Sequence, residues 1–399
     1  MPLSEEIAEA LLADDPDPVA LVALLEAGGL SPQAALAVFK RAVAQLNASL
    51  FPPLNHLELI HTEGCNLACT YCFEKNILGY RRMPLNVITA AIDLFFEYSG
   101  DVRKLEIVHF GGEPTLNFPA ICHATEYAER KALDSGKTVE FEMTSNGTLL
   151  TDKLVDYLGD RNIRVLLSLD GLEASHDKFR IDKKGRGSFR RAMRGLQLLK
   201  RRQPWIGAKI TVMPENAPRL FDDVLGLQEE GVNQFLIGHA TGVQWADDQV
   251  ATYGEQLRAI RDWYLEQRRI GAKLRIADFD DPKSETSFFG CQAGRNSVAI
   301  GVNGEISPCS KILGLNNKKI LAKLGDVMYG ITHIRNRLEL VTCSSLRTAC
   351  ANEGIADEFQ GGCFASNYSD RGNLYWPSRQ DHSFSVLERR ICSGCSSRQ

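Results

Sequence analysis

The stretch "LELIHTEGCNLACTYCFEK" (residues 57–75) joins a short apolar run to three closely spaced cysteines. The run "LELIHT" (57–62) is typical of a β-strand, and Cys65, Cys69 and Cys72 follow it within a few residues. Three thiols inside eight residues are disulfide partners, a zinc knuckle, or the ligands of another metal centre. Other features of the sequence distinguish between these three possibilities.

The strand at 57–62 is the first of six that alternate with helices. Segments of helical periodicity, such as "PLNVITAAIDLFFEY" (84–98), separate the strands. This alternation predicts an α/β fold with a parallel sheet buried on both faces, and six units predict a partial (β/α)6 barrel that does not close. The other five strands are expected at 104–110, 138–146, 164–170, 208–213 and 233–240.

The chain divides into three parts on composition. Residues 1–52 show helical periodicity, and Asp17-Pro18 and Ser31-Pro32 fit helix starts, where proline loses no hydrogen bond. Residues 53–280 hold the alternating strands and helices. Residues 281–399 lose the alternation and contain seven of the eleven cysteines. We therefore expect a helical region, a partial barrel and a cysteine-rich domain.

Charge and hydropathy restrict the cellular locations and the binding partners that the sequence predicts. With 46 basic and 50 acidic residues, the chain lacks the strongly basic balance typical of nucleic-acid-binding proteins. The first twenty residues have no basic segment of a signal peptide, and no apolar run approaches the roughly 18 residues of a membrane span. We expect a cytoplasmic protein without nucleic-acid or membrane partners. In that compartment thiols stay reduced, so eleven cysteines favour metal binding over disulfides.

The number of nearby cysteines separates the two kinds of metal centre. A structural zinc site uses four ligands, and the next cysteine after the three is Cys122, on a helical pattern that predicts a buried apolar environment. A 4Fe-4S cluster held by three thiolates leaves one iron open for another ligand. The spacing favours this second kind of centre.

Three further short motifs follow successive predicted strands: "FGGEP" (110–114), "TSNG" (144–147) and "SLDG" (168–171). Functional loops of parallel α/β sheets lie at the carboxyl ends of the strands, so the cysteines and these motifs are expected at one edge. Taken singly, each motif is no more than a turn rich in glycine and asparagine. Their order behind the cysteines favours a shared site.

The CxxxCxxC spacing, with Tyr71 before its last cysteine, resembles the radical S-adenosylmethionine (SAM) superfamily. The resemblance implies a 4Fe-4S cluster on Cys65, Cys69 and Cys72, with SAM bound to the open iron. Reductive cleavage of SAM then gives a 5'-deoxyadenosyl radical that abstracts a substrate hydrogen. The resemblance further implies SAM contacts, with the methionyl amino group, ribose and carboxylate bound by Tyr71, Gly111, Gly112, Glu113, Pro114, Asn146, Ser168, Asp170 and Arg180.

The cysteine-rich tail looks like a SPASM domain, which carries two auxiliary 4Fe-4S clusters. Its spacing departs from the usual pattern in the middle, where six residues separate Cys343 from Cys350. Seven cysteines are one short of two fully ligated clusters. We expect one cluster with an open iron on Cys291, Cys309 and Cys363, and a second on Cys343, Cys350, Cys392 and Cys395. A zinc ribbon around "CSGC" (392–395) is the alternative, but it lacks a second free CxxC pair.

The resemblance implies a peptide-modifying oxidoreductase that matures a ribosomally made precursor peptide by crosslinking or other oxidation. Its expected partners are the precursor peptide, a separate leader-recognition protein, since residues 1–50 are too helical for a winged helix, and an electron donor such as flavodoxin or ferredoxin. An anaerobic sulfatase maturase is one alternative, although Ser310 replaces the aspartate expected after Cys309. A small-molecule dehydrogenase and an electron-transfer protein are the others.

Overall fold

The computed structural model describes residues 5–280, 289–315 and 323–392. The chain packs into two compact units that each combine distant stretches of sequence. The first unit takes its residues from 1–64, 76–141 and 292–344. The second unit takes its residues from 65–75, 142–291 and 345–399. The three-part division expected from composition remains a prediction.

Both units mix β-strands with α-helices. The strands are β1 His56–Ile60, β2 Lys104–Phe110, β3 Thr138–Ser145, β4 Arg164–Ser168, β5 Gly207–Val212, β6 Gln234–His239, β7 Arg275–Ile276, β8 Ser297–Ile300, β9 Glu305–Ser307 and β10 Gly325–Asp326. The helices are α1 Glu5–Leu11, α2 Pro18–Ala27, α3 Pro32–Leu50, α4 Leu85–Tyr98, α5 Phe118–Ser135, α6 Asp152–Asp160, α7 Glu173–Phe179, α8 Phe189–Lys200, α9 Leu220–Glu229, α10 Asp247–Arg269, α11 Ala277–Asp280, α12 Ser310–Leu313, α13 Ile334–Thr342, α14 Ser344–Asn352, α15 Phe364–Arg371 and α16 Arg379–Cys392.

The predicted α/β class is confirmed, and the six predicted strands are β1 to β6. In the second unit the end of β3 pairs with β4, and β4, β5, β6 and β7 follow in order, all parallel. In the first unit β1 lies between β2 and β8 and is parallel to both. Sequence reasoning missed β8, because its four buried residues are too few to show a period.

The N-terminal helices begin where the sequence predicted. The Asp17 carboxylate accepts the N–H groups of Val19 and Ala20, and the Ser31 hydroxyl accepts the N–H of Ala34, so both helices have side-chain caps in front of a proline. Apolar residues of α1 to α3 pack into one cluster with Ile334 of α13. No helix in the described ranges is both long and apolar enough to cross a membrane.

A buried arginine joins the N-terminal helices to the later part of the first unit. Arg337 on α13 is 1% exposed, and its guanidinium donates to Asn47 Oδ1 of α3 and to the carbonyls of Pro52, Gly294 and Arg295 at 2.9–3.1 Å. It also lies over the Phe51 ring. The four acceptors are uncharged, and burial lowers the pKa of Arg337 to about 10. The contact therefore depends on complete hydrogen bonding.

We expect Arg337→Met to lower the free energy of unfolding by about 3 kcal/mol or more, because four buried acceptors lose their donor. Urea unfolding followed by circular dichroism measures this change. The matched control is Arg335→Met on the same helix, whose pair with Asp14 at 2.6 Å is exposed and should contribute about 1 kcal/mol or less. Equal losses in the two variants would contradict the assigned role.

Candidate functional site

The loop that carries Cys65, Cys69 and Cys72 is pinned by backbone hydrogen bonds within the second unit. The N–H of Ala68 donates to the carbonyl of Ile181 at 2.7 Å, and the N–H of Thr70 donates to that of Phe179 at 3.1 Å. We name residues 65–72 the cysteine loop. The segment after α7 thus holds this loop in an extended pairing and fixes the backbone on either side of Cys69.

The three cysteines of the cysteine loop form no disulfide and are only partly exposed, and hydrogen-bond donors point at two of their sulfurs. Cys65 Sγ accepts the N–H of Leu67 at 3.4 Å and lies 4.0 Å from Asn146 Nδ2. Cys69 Sγ lies 4.0 Å from a guanidinium nitrogen of Arg180. Such donors stabilise thiolates and tune iron-sulfur centres. The donor set therefore fits a cluster better than a packing role.

Burial favours the protonated form of two of these thiols. It raises the pKa of Cys72 to about 11, and it also raises the pKa of Cys69, although the Arg180 charge opposes this. Metal binding must therefore displace protons here. In the described part of the chain, no three His, Cys, Asp or Glu side chains are arranged to hold a metal ion. The ligand roles of the three cysteines remain predictions.

A buried ion pair between Arg180 and Asp170 contacts the cysteine loop. Arg180 Nε donates to Asp170 Oδ2 at 2.9 Å, and the hydroxyl of Tyr71 donates to the same oxygen. Asp170 Oδ1 accepts the N–H of Thr211 at 3.1 Å, and Asp170 is fully buried. Burial disfavours the Arg180 charge, but the Asp170 carboxylate holds its pKa above the usual value. Burial likewise raises the pKa of Tyr71.

This arrangement bears on the roles predicted toward SAM. Asp170 was predicted to face the ribose and Arg180 the SAM carboxylate, and here each is the other's partner. Asn146 accepts the N–H of Thr148 at 3.0 Å and donates to Asn66 Oδ1 at 3.0 Å. Ser168 is the last residue of β4 and is buried. The cofactor contacts assigned to these residues remain predictions.

The "GGEP" motif forms a tight turn in the first unit. Gly111 has φ +127°, and a Cβ there would lie 2.5 Å from the carbonyl oxygen of Thr62, so only glycine fits. The N–H of Gly112 donates to that same oxygen, and the N–H of Glu113 donates to the carbonyl of Gly64, which directly precedes Cys65 in the chain. Pro114 begins a short 3-10 helix. These glycines therefore allow the backbones of residues 62–64 and 111–113 to lie within hydrogen-bonding distance of each other.

Two buried histidines, His61 and His109, form a pair. In the sequence they lie just before the two segments that meet at the turn of Gly111. His61 Nε2 is 2.8 Å from His109 Nδ1, and His109 Nε2 is 3.1 Å from Thr125 Oγ1. Burial lowers the pKa of His61, helped by His109, and lowers the pKa of His109 to about 3. Both rings are therefore neutral at physiological pH. Sequence reasoning missed this pair, although both histidines end predicted strands.

The tail cysteines lie in both units. Cys291, Cys350, Cys363 and Cys392 belong to the second unit, and Cys309 and Cys343 belong to the first; Cys395 lies outside the described residues. Cys343 and Cys350 are fully buried and the other four are partly exposed. Their grouping into clusters remains a prediction. Cys122, expected to be buried on its helix, is only half-buried on α5.

Cys343 has an unusual backbone. Its φ of +53° places a non-glycine residue in the left-handed region at the end of α13, and its Sγ donates to the carbonyl of Leu340 at 3.2 Å. Left-handed conformations of such residues cost about 1 kcal/mol or more and concentrate at functional sites. The strained backbone of Cys343 is typical of a functional position, but it does not identify what the thiol binds.

The backbone N–H of the residue after Cys309 contacts a carboxylate from another part of the first unit. The N–H of Ser310 donates to Glu58 Oε2 at 2.7 Å. Glu58 lies on β1 and is partly buried. Sequence reasoning noted that Ser310 is not acidic and missed Glu58, since 252 residues separate the two and nothing in the local sequence links them.

Comparisons with known proteins identify a related family and related structures. Residues 59–225 match the Radical SAM superfamily. A serine-type anaerobic sulfatase-maturating enzyme of Bacteroides thetaiotaomicron is 34% identical over 143 residues, which are 34% of this chain and 34% of that protein. The chain spans about a third to three fifths of the length of the first curated relatives that it matches.

Two solved proteins share the fold. The anSMEcpe protein with bound AdoMet superposes with a TM-score of 0.68 at 19% identity, over 86% of this chain and 95% of that one. It has also been solved with a Cp18Cys peptide. Streptococcus suis SuiB, bound to the precursor peptide SuiA, gives a TM-score of 0.58 at 17% identity over 88% and 82% of the two chains.

The match of residues 59–225 indicates a Radical SAM domain in this part of the chain, and it confirms the family resemblance predicted from the cysteine spacing. The structural neighbours anSMEcpe and SuiB were both solved with peptides bound.

We expect Asp170→Asn to destabilise the apoprotein by about 3 kcal/mol or more, because it leaves the buried Arg180 without a charge partner. It should also reduce the iron retained after reconstitution, since Tyr71 and Arg180 position the cysteine loop. Urea unfolding and iron analysis measure the two effects. Asp152→Asn, which alters an exposed pair with Arg201, is the matched control with little expected change.

A second substitution tests whether the unpaired charge is the cause. Adding Arg180→Met to Asp170→Asn removes that charge, so part of the lost stability should return while the iron loss persists. Additive losses of stability in the double variant would contradict the ion-pair explanation.

Proposed function

We propose that this chain is a radical SAM enzyme that oxidatively modifies a residue of a peptide substrate, with crosslinking of a ribosomal precursor peptide as the preferred reaction. The observation that carries the proposal is the cysteine loop, where three cysteines that form no disulfide share one loop held by backbone hydrogen bonds, with donors aimed at two of the sulfurs. The match of residues 59–225 to the Radical SAM superfamily supports it.

The cofactors of the proposal follow from the same residues. Cys65, Cys69 and Cys72 would hold a 4Fe-4S cluster, and Glu113, with the glycines before it, would meet SAM. Bound there, the cluster and SAM supply a carbon radical that takes a hydrogen atom from the substrate. The chain would position the cluster through the cysteine loop, with the buried charge of Arg180 beside Cys69. The tail cysteines would hold two auxiliary 4Fe-4S clusters.

A peptide substrate is proposed because structural neighbours bind peptides. SuiB was solved with the precursor SuiA and anSMEcpe with a Cp18Cys peptide. The proposed partners are a precursor peptide, a separate leader-recognition protein and an electron donor such as flavodoxin or ferredoxin. Alternatively, the three N-terminal helices bind the leader, or an extended leader adds a strand to an edge of the sheet such as β10.

We expect anaerobic reconstitution to load about twelve irons per chain, as three four-iron clusters require. SAM and dithionite should then yield 5'-deoxyadenosine, followed by mass spectrometry. The variant with Cys65, Cys69 and Cys72 all changed to Ala should lose about four irons and all deoxyadenosine. Cys122→Ala, on a half-buried helical cysteine, is the control that should keep both.

Zinc in place of iron, or a fully loaded protein that makes no deoxyadenosine, would reject the proposal. An iron count near four would retain the radical reaction and reject the auxiliary clusters.

Formylglycine-type oxidation of a peptide cysteine or serine is the second candidate function. The contact between Glu58 and Ser310 favours it, because it provides a carboxylate beside the residue after Cys309, where the sequence alone lacked one. A carboxylate at that place can act as a general base. This contact gives the second candidate as much support as crosslinking has.

We expect Glu58→Gln to lower conversion of the Cp18Cys peptide to an aldehyde by about 10²-fold, if Glu58 is that base, without lowering deoxyadenosine formation. Peptide mass spectrometry measures the conversion. Glu106→Gln, on the neighbouring strand and paired with His56, is the control. A wild-type product that has lost two hydrogens without forming an aldehyde would favour crosslinking instead.

A further inference from the structure

His176 is a buried histidine of the second unit that is linked to both partners of the Arg180–Asp170 ion pair. It lies on α7 and is 1% exposed. Its Nδ1 accepts the backbone N–H of Asp170 at 3.4 Å, and its Nε2 lies 2.9 Å from the hydroxyl oxygen of Ser188. That hydroxyl donates to the backbone carbonyl of Arg180 at 2.7 Å. A chain of three hydrogen bonds therefore connects the backbone of Asp170 to the backbone of Arg180.

The direction of these hydrogen bonds fixes which nitrogen of His176 carries a proton. A carbonyl oxygen only accepts, so the single hydroxyl proton of Ser188 is used at Arg180, and Ser188 Oγ must accept from His176 Nε2. The opposite nitrogen, Nδ1, then carries no proton and accepts from Asp170. A second proton at Nδ1 would place two donors face to face. The chain of bonds is therefore complete only with a neutral imidazole, and burial, together with the charge of Arg180, lowers the pKa of His176 to about 3.

The carbonyl of Arg180 belongs to the segment that holds the cysteine loop. The carbonyls of the residues directly before and after Arg180 accept N–H groups on either side of Cys69. Successive residues of an extended chain point to opposite sides, so the carbonyl of Arg180 is directed away from the cysteine loop, and Ser188 contacts it there. The guanidinium of the same residue lies 4.0 Å from Cys69 Sγ and over the ring of Tyr71. Ser188 thus fixes the backbone from which this guanidinium extends.

Ser188 is itself held in place by α7. The carboxylate of Asp177, the residue after His176, accepts the N–H groups of Ser188 and Phe189, both at 2.7 Å. A Cβ on Gly187 would lie 2.2 Å from Asp177 Cγ, so position 187 admits no side chain without displacing that carboxylate. His176 and Asp177 therefore hold the hydroxyl and the backbone of one serine from neighbouring positions.

We propose that His176 is a positioning residue of the candidate site, which fixes the backbone of Arg180 through Ser188 and thereby keeps the guanidinium beside Cys69. The inference rests on the proposed function, because it concerns a cysteine that would hold the cluster. Since its neutral ring has a partner at each nitrogen, His176 acts by geometry and not by proton transfer. Groups that orient a metal ligand typically contribute about 10- to 100-fold to metal affinity.

Two substitutions of His176 separate the roles of the two ring nitrogens. In His176→Asn the side-chain amide ends near the place of Nδ1, so it can accept from Asp170 but is too short to reach Ser188. In His176→Gln the amide N–H group ends near the place of Nε2 and can donate to Ser188. Ser188→Ala removes the hydroxyl and leaves both the ring and the Asp177 cap in place. We therefore expect a defect in His176→Asn and in Ser188→Ala, and its rescue in His176→Gln.

Hydrogen exchange of the full-length apoprotein, followed by mass spectrometry, tests the geometry without a cofactor. We expect His176→Asn and Ser188→Ala to speed exchange of the Ala68 and Thr70 amides by about 10-fold, as loss of one buried hydrogen bond allows. His176→Gln should keep the wild-type protection. The double variant of His176→Asn and Ser188→Ala should exchange no faster than either single variant, because both break the same chain. The matched control is Thr151→Ala, which removes the hydroxyl that caps α6 in the same unit and should leave these two amides protected.

Iron release from the reconstituted holoenzyme to a ferrous chelator is the second measurement. We expect His176→Asn to release about four irons per chain about 10-fold faster than wild type does, and His176→Gln to release them at close to the wild-type rate. Urea unfolding of each variant gives the global stability with which both measurements are compared.

Faster exchange that is spread evenly over the chain, as global destabilisation produces, shows a merely structural role for His176 and overturns the inference. Equal exchange of the cysteine loop in His176→Asn and Thr151→Ala also overturns it, as does a defect in His176→Gln as large as that in His176→Asn. Iron that loads fully and leaves wild type and His176→Asn at the same rate overturns the inference alone. A wild-type chain that loads no iron rejects the proposed function, and the inference with it.

Discussion

The buried ion pair between Arg180 and Asp170 is the constraint on which the candidate site depends. One carboxylate oxygen receives Arg180 and Tyr71, and the other receives the N–H of Thr211 on β5. The pair therefore joins the segment after β4, the end of β5, the segment after α7 and the cysteine loop. A charge that is costly to leave unpaired holds these pieces in one arrangement.

Buried polar groups recur where distant segments meet. Arg337 joins α3 to the segment around Gly294 in the first unit, and His61 contacts His109 across the ends of β1 and β2. In each case the buried groups hydrogen-bond each other away from water. Removal of one partner therefore destabilises the fold by more than the net contribution of that hydrogen bond. Such contacts position backbone accurately, which is what a reaction controlled by distance requires.

The element pattern was predictable because it depends on local rules. Strands β1 to β6 and the capped starts of α2 and α3 follow from apolar periodicity and from proline behind Asp17 and Ser31. The four-residue strand β8 was not predictable, because pairing with β1 rather than its own composition makes it a strand. The same holds for Glu58 beside Ser310 and for Asp381 beside His239, which lie 252 and 142 residues apart in sequence.

The sequence by itself determined the α/β class of the fold, because alternating strands and helices are a local pattern. Cys65, Cys69 and Cys72 lie close together in the sequence, so their spacing alone favoured one kind of metal centre as a prediction. Only the tertiary structure decided which charges neutralise one another and which groups meet across long stretches of sequence, as Glu58 and Ser310 do. The physical reason is that ligand spacing within a loop is a local property, whereas burial and pairing depend on how the strands and helices pack.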